Sequence, residues 1–247
     1  MTFMSNLPKF PGGLPDVAHS RASALWGLAA QEALEEVMPI INTTAGQRAG
    51  RDKWVCARKL SAAGVDALPT FLATPGVGER QVCEALGDDV VMKPMAGFGG
   101  QGVTRLRGRA EIGRALREME SQCVMQPYCH VGGRDLRAVV VGGRVIASVE
   151  RQAQGGEFRA NASLGALVRP AHLDRQTEKL AIRAARACGL DMAGVDIIEP
   201  PDGPLVVEVN TNTGGLDQMH SLTKVDVARE MAMCVEARFV EITTRDR

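Results

Sequence analysis

Hydrophobic and polar positions along the chain switch repeatedly between two periods, and the switches divide it into short strands and amphipathic helices. Asp89–Pro94, Val103–Leu106, Cys123–Tyr128, Leu136–Val141, Arg144–Val149, Val195–Glu199 and Leu205–Asn210 are short apolar runs bounded by turn residues, and each predicts a strand. Pro69–Leu72 predicts another, and Val37–Asn42 ends in a short one. Gly142-Gly143 and Pro201-Asp202-Gly203 separate adjacent runs and predict hairpins. Helical spacing marks Arg21–Met38, Arg51–Ala63 with Gly64 as its C-cap, a segment from Val77 to Leu86, Glu111–Glu120, Asp174–Cys188 and a last segment near Val225–Arg238. Leu173, Thr177, Leu180, Ala184 and Ala187 form the core stripe of Asp174–Cys188. Arg175, Lys179, Arg183 and Arg186 lie away from it and read as a solvated face. In the last helix Val227, Met231, Cys234 and Val235 form the core stripe. Residues 1–20, rich in Pro and Gly, predict irregular chain. Strands interleaved with helices make the class α/β (α+β).

Composition narrows this picture. Apolar residues are 45% of the 247, enough for a substantial core, but only nine are aromatic, so Val, Ile, Leu, Ala and Met must fill it. The formal net charge is zero, which gives no support for nucleic acid or a membrane surface held by bulk charge. No apolar run approaches the ~20 residues that span a bilayer. The six cysteines form no Cys-x-x-Cys pair and stand without a His cluster, so they read as buried free thiols rather than a zinc or redox site. With no signal peptide evident, the expected location is cytoplasmic.

The second hairpin carries the first chemical signal. With Pro201-Asp202-Gly203 as its turn, Asp196 falls opposite Glu208, and Asn210 shares a face with Glu208. Opposed like charges on paired strands are unfavourable. Three oxygen-bearing side chains on one face make sense around a hard cation, magnesium before manganese. The bland alternative is a solvated hairpin with ordinary surface acids.

Gly97, Gly99, Gly100 and Gly102 fall in AGFGGQG, directly after a strand that ends in Lys93-Pro94. A strand follows this loop rather than a helix, so it is neither a dinucleotide fingerprint nor a Walker loop. A strand–loop–strand flap can lay backbone N–H groups over phosphates. Lys93 at its base is placed for a phosphate, against the bland reading of a surface lysine at a strand end.

Several motifs in order resemble the ATP-grasp ligases, and within them the RimK-like glutamate ligases. They are RDK at Arg51–Lys53, VMKP with its glycine flap, QPY at Gln126–Tyr128, GRDLRAVVVGGRVIASVER, FRANASLG, and the pair GVDIIE and VVEVNTNTGG. The flap spelling KPMAGFGGQG leans toward the tetrahydromethanopterin ligase branch. The resemblance covers residues 40–240 and implies two α/β lobes clasping ATP. Residues 51–128 would form the lobe with the flap, and 129–247 the lobe with the metal site. Residues 1–50 would stand in place of a complete small α/β domain: either the start is abbreviated or the missing wall comes from another subunit, and a homo-oligomer is expected.

Residue by residue, the resemblance implies that Lys53 and Lys93 contact ATP phosphates, with Gly99, Gly100, Gln101 and Gly102 of the flap above them. Gln126 and Tyr128 would lie at the adenine hinge and Asp135 on the ribose side. Arg159 and Asn161 would face the γ-phosphate and acyl phosphate. Arg137 and Arg151 are assigned to the nucleotide and substrate side, and Asp196, Glu208 and Asn210 to magnesium. Pro127 stands where the family carries Glu, and it has no N–H, so adenine would depend on backbone groups of Tyr128 or Cys129. The implied reaction activates a carboxylate acceptor as an acyl phosphate and adds an amino acid, glutamate favoured, with ADP released. A non-catalytic nucleotide-binding module is the alternative from another class. The same hairpin reading predicts that Asp196→Asn relieves carboxylate repulsion and stabilises the metal-free protein slightly.

Overall fold

The computed structural model describes residues 17–19, 25–97 and 99–245. The irregular entry predicted for residues 1–20 lies almost wholly outside them, as do residues 21–24 of the first predicted helix. A short parallel pair, β1 (Ala18–His19) with β2 (Ile40–Ile41), flanks α1 (Leu25–Glu35). Asn42 follows β2 and is fully buried. Its amide donates to Met192 O at 2.7 Å and accepts from Asp191 and Met192 N–H at 2.9 Å. One side chain thus anchors the N-terminal segment to the middle of the fold.

Two helices follow where one was predicted. Thr43 caps α2 (Thr44–Arg51) by accepting from Gly46 N–H, and Asp52 caps α3 (Lys53–Ala62) by accepting from Trp54 and Val55 N–H. Asp52 breaks the run because its carboxylate takes over two backbone donors. Gly64 closes α3 with a positive φ of 60°, as predicted.

The smaller sheet has the order β3-β6-β4-β5, all antiparallel, from β3 (Phe71–Ala73), β4 (Asp89–Pro94), β5 (Thr104–Arg107) and β6 (Cys123–Pro127). Helices α4 (Glu79–Leu86) and α5 (Gly108–Glu118) cover it over Val82, Val90, Leu106, Ile112 and Met125.

The larger sheet is also antiparallel. It comprises β7 (Arg134–Val141), β8 (Arg144–Gln152), β9 (Leu167–Pro170), β10 (Met192–Ile198) and β11 (Leu205–Asn210), in the order β11-β10-β7-β8-β9. It is buried on both faces, which is why β7 and β10 read as unbroken apolar runs. Along β7, Ala138 and Val140 enter the core under α3 and α6 (Arg175–Ala187). Val139 and Val141 enter the opposite core under α7 (Leu216–Thr223) and α8 (Val227–Arg245). Both predicted helix stripes face these cores.

The pattern missed β1, which lies within the stretch predicted irregular, as well as α2, β9 and α7. β9 is an edge strand with Leu167 exposed, so it lacks alternation, and α7 opens on Gly215 without a side-chain cap. β7 and β8 each reach beyond the predicted strands, and that extension brings Asp135 opposite Arg151. Of the six free thiols, Cys56, Cys123 and Cys188 are buried. Cys83, Cys129 and Cys234 are partly exposed, which corrects the expectation that all six are interior. No helix among the described residues is long and apolar enough to cross a membrane.

Candidate nucleotide and metal site

A cleft of about 440 Å³ lies between the two sheets. Every site residue singled out in the sequence lines it except Gly102, which lines a groove on the other side of the flap. Leu68 N–H donates to Val206 O, and Val206 N–H donates to Asp66 O, stitching the approach to β3 onto β11 along the cleft floor.

The hairpin register is as predicted: Asp196 faces Glu208 and Gly194 faces Asn210, with a bulge after Asp196. Asn210 Nδ2 lies 3.2 Å from Asp196 Oδ2 and 3.1 Å from Glu208 Oε1, so the three side chains converge. Their surroundings were not predicted. Asp196 is buried and takes Arg137 Nη1 at 2.7 Å and Arg151 Nη2 at 2.8 Å, both on Oδ1. Burial alone would raise its pKa, but Arg137 and Arg151 reverse the balance and hold the carboxyl below its ordinary value. Lys53 Nζ lies 3.6 Å from Glu208 Oε2. The pair is therefore already charge-balanced. Asp196→Asn would leave two buried guanidinium groups underpaired, so the expected slight stabilisation is overturned.

Arg151 also holds Asp135 through two bonds of 2.7 Å, and Arg137 Nη2 donates to Asn212 O at 2.7 Å. Burial pushes Asp135 up to about 6 against the pull of Arg151. Arg137 crosses the sheet over Gly194, where any Cβ would collide with its guanidinium. A glycine inside a strand is a sequence signal for such an approach, and Gly194 was overlooked.

Lys93 points into the cleft, where burial lowers its pKa while Glu208 works to raise it. Its Nζ donates to Gln126 Oε1 at 2.6 Å. Gln126 Nε2 donates to Thr70 Oγ1 at 3.0 Å and to Val207 O at 3.2 Å, so the Gln126 amide is already engaged within the protein. At the hinge, Tyr128 N–H donates to Asp89 O at 2.8 Å, while Cys129 N–H has no partner among the described residues. The Tyr128 ring carries the Arg105 guanidinium 3.4 Å from its centroid and meets Phe158 edge-on. Arg105 in turn grips Asp89 at 2.8 and 2.6 Å.

The flap is fastened to both sides. Lys53 N–H donates to Met95 O at 3.0 Å and Lys53 Nζ to Gly97 O at 3.2 Å. From the larger lobe, Arg159 Nη1 donates to Gly100 O at 2.7 Å and Ser163 Oγ to Gly99 O at 3.2 Å. Gly99 and Gly100 have φ of 66° and 76°, in the region that favours glycine.

Comparison with known proteins now bears on this geometry. A model of the RimK-like ATP-grasp domain matches residues 50–235, three quarters of the chain. The chain belongs to the RimK-like ATP-grasp family. It is 34% identical over 239 residues to a probable alpha-L-glutamate ligase of Enterobacter, a match covering 94% of this chain and 78% of the relative. It is 32% identical over 206 residues to another of that name from Pasteurella multocida, covering 82% and 66% respectively. Among solved structures, a RimK domain ATP-grasp protein from Sphaerobacter thermophilus superposes with TM-score 0.65 at 23% identity, covering 94% of this chain and 86% of that one. A D-alanine–D-alanine ligase from Bacillus anthracis gives TM-score 0.72 at 17% identity, covering 94% and 82%. The expected fold is thus the observed one, two α+β lobes of the ATP-grasp type, and the chemistry of the RimK-like family is that of ATP-dependent carboxylate–amine ligases.

Proposed function

We propose that this protein uses ATP to activate a carboxylate as an acyl phosphate and joins it to the amino group of an amino acid, glutamate first, releasing ADP and phosphate. The observation that carries this reading is one cleft in which Lys53, Lys93 and Arg159 face the Asp196, Glu208 and Asn210 set beneath a glycine flap. Two relatives named as glutamate ligases support the choice of amino acid.

The residues fit a hard cation. Asn210 Nδ2 lies within hydrogen-bonding range of both Asp196 Oδ2 and Glu208 Oε1, so the three side chains meet, and each carries a hard oxygen donor. Asp196, Glu208 and Asn210 would hold magnesium, which when bound would supply neutralisation of phosphate charge. Manganese offers the same ligand preferences.

Lys53 and Lys93 neutralise phosphate charge from the two sides of the cleft, and Gln126 fixes Lys93 while doing so. Arg159 faces the transferring group with Asn161 and offers a charge-assisted donor to a phosphoryl oxygen. The Cys129 N–H is the hinge donor left for adenine, and Tyr128 supplies an aromatic wall. A carboxylate oxygen of the acceptor attacks the γ-phosphorus and the bond to the β,γ-bridging oxygen breaks, freeing ADP. The amine nitrogen then attacks the acyl carbon, phosphate departs with its oxygen, and the nitrogen loses a proton. No protein nucleophile is needed. Catalysis rests on positioning and charge neutralisation, with the flap excluding water from the acyl phosphate.

The test supplies ATP, magnesium, L-glutamate and a panel of acceptors, including peptides ending in glutamate, and follows nucleotide and conjugate by mass spectrometry. ADP and conjugate in equal amounts are expected. AMP as the stoichiometric product would sink the mechanism, and nucleotide binding without turnover across an exhaustive acceptor screen would favour a binding module.

A further inference from the structure

Arg159 sits in an arrangement that its assignment to a phosphate does not account for. The Glu157 carboxylate gathers four N–H donors. Its Oε1 accepts from Phe158 N–H at 2.9 Å, Arg159 N–H at 3.0 Å and Arg159 Nε at 3.0 Å, and its Oε2 accepts from Arg159 Nη2 at 2.6 Å. The two backbone bonds fix the carboxylate independently of the guanidinium it holds. One edge of the guanidinium, Nε and Nη2, is therefore docked on an immobilised acceptor. The remaining nitrogen, Nη1, points across the cleft mouth to Gly100 O.

We propose that Glu157 is the positioning residue for Arg159. It retains the Nε–Nη2 edge throughout, so that Nη1 alone exchanges the flap carbonyl for an oxygen of the terminal phosphate. An arginine in a loop has several rotatable bonds to fix, and a site that fixes them in advance loses less on binding its ligand. A carboxylate on the Nε edge also leaves the positive charge only partly neutralised toward the cleft, because the planar fork presents its donors in separate directions. Nothing else among the described residues bonds this side chain. Sequence reasoning passed over Glu157, since an acid two positions before an arginine in a glycine-rich loop reads as ordinary surface charge.

The inference rests on the assignment of Arg159 to the terminal phosphate, so the experiment separates the two. Affinities for ADP and for a non-hydrolysable ATP analogue, each with magnesium, are measured by calorimetry on the full chain. The proteins are the unaltered one, Arg159→Ala, Glu157→Gln and the double variant. Their ratio isolates recognition of the terminal phosphate, and a merely structural role would weaken both ligands alike. Arg159→Ala is expected to cut the preference for the analogue by at least ~10-fold, about 1.4 kcal/mol. Glu157→Gln should cut it by a similar direction and at least ~3-fold, and should add nothing in the Arg159→Ala background. Glu157→Asp, which keeps the charge, should recover part of the loss and stands in if Glu157→Gln melts below the assay temperature.

An unchanged ratio in Arg159→Ala would overturn the assignment of Arg159 and the inference with it. A loss in Arg159→Ala with none in Glu157→Gln, additive losses in the double variant, or tighter analogue binding in Glu157→Gln would overturn the inference alone. The last result would mean that Glu157 sequesters the arginine instead of presenting it.

Discussion

Gly194 lies directly beneath the guanidinium of Arg137, on the strand next to it, and leaves the space through which that side chain reaches Asp196 and Asn212. The far end of an arginine can swing aside, so a methyl group here displaces the ion pair before it disrupts the sheet. Gly194→Ala should lower stability by about 1–3 kcal/mol, in the range of overpacked buried sites, while leaving the circular dichroism of the fold intact. Magnesium-dependent nucleotide binding should weaken as Asp196 loses one of its two arginines. Stability within ~0.5 kcal/mol of the parent in a denaturant titration would show that Arg137 does not need this path.

Gly100 combines a φ of 76° with a crowded exterior. An added Cβ would come within 2.8 Å of Asn161 Oδ1 and 3.1 Å of Leu164 Cδ1. Both the backbone and the space therefore favour glycine. Gly100→Val should weaken ATP use at least ~10-fold, or about 1.4 kcal/mol, because the flap can no longer seat against Asn161. It lies outside the hydrophobic cores, so the thermal transition should stay close to that of the parent. Unchanged kinetics for ATP would reduce the loop to a simple turn.

Asp89 and Arg105 supply a pH signature away from the metal set. The Arg105 side chain bonded to Asp89 holds that carboxyl below its ordinary range. A carboxylate depressed in the folded state contributes stability above its unfolded pKa, and the contribution is lost as pH falls through the lowered folded value. Asp89→Asn should thus cost up to about 1 kcal/mol at neutral pH, modest because the pair is partly solvated. The difference between variant and parent should shrink as acid is added below about pH 4, the unfolded value. Denaturant melts at stepped pH measure it, and a gap that grows in acid would contradict the pairing. Arg105 also lies on the Tyr128 ring, so the variant should loosen the packing of that ring.

The pieces legible in the sequence share a physical property: each is written within about fifteen neighbouring residues. The hairpin of Asp196 and Glu208 follows from alternation and one turn, and β4 with its glycine flap from a strand end and four glycines. The cap at Asp52 is equally local, but the helix before it was missed because Ala45 and Ala49 are its only apolar side chains, which leaves no stripe to read. What could not be read was convergence across distant segments. Arg137 and Arg151 reach Asp196 only because β10 happens to pair with β7, and Gln126 reaches Val207 only because the two sheets meet. Asn42 and its grip on Met192 span 150 residues and leave no periodic trace.

Gln126 has a mechanical consequence. With one amide joining Lys93, Thr70 and the Val207 carbonyl, and the Asp66–Leu68 stretch bonded to Val206 beside it, the base of the cleft is a closed seam. Parting the lobes there would break several hydrogen bonds at once. The weak margin is the opposite one, where the flap hangs from two hydrogen bonds of Lys53 and one each of Arg159 and Ser163. On the proposed function, a cleft hinged this way would open along its flap, as an envelope does, and ATP and ADP would pass across the same lip while the back stayed sealed.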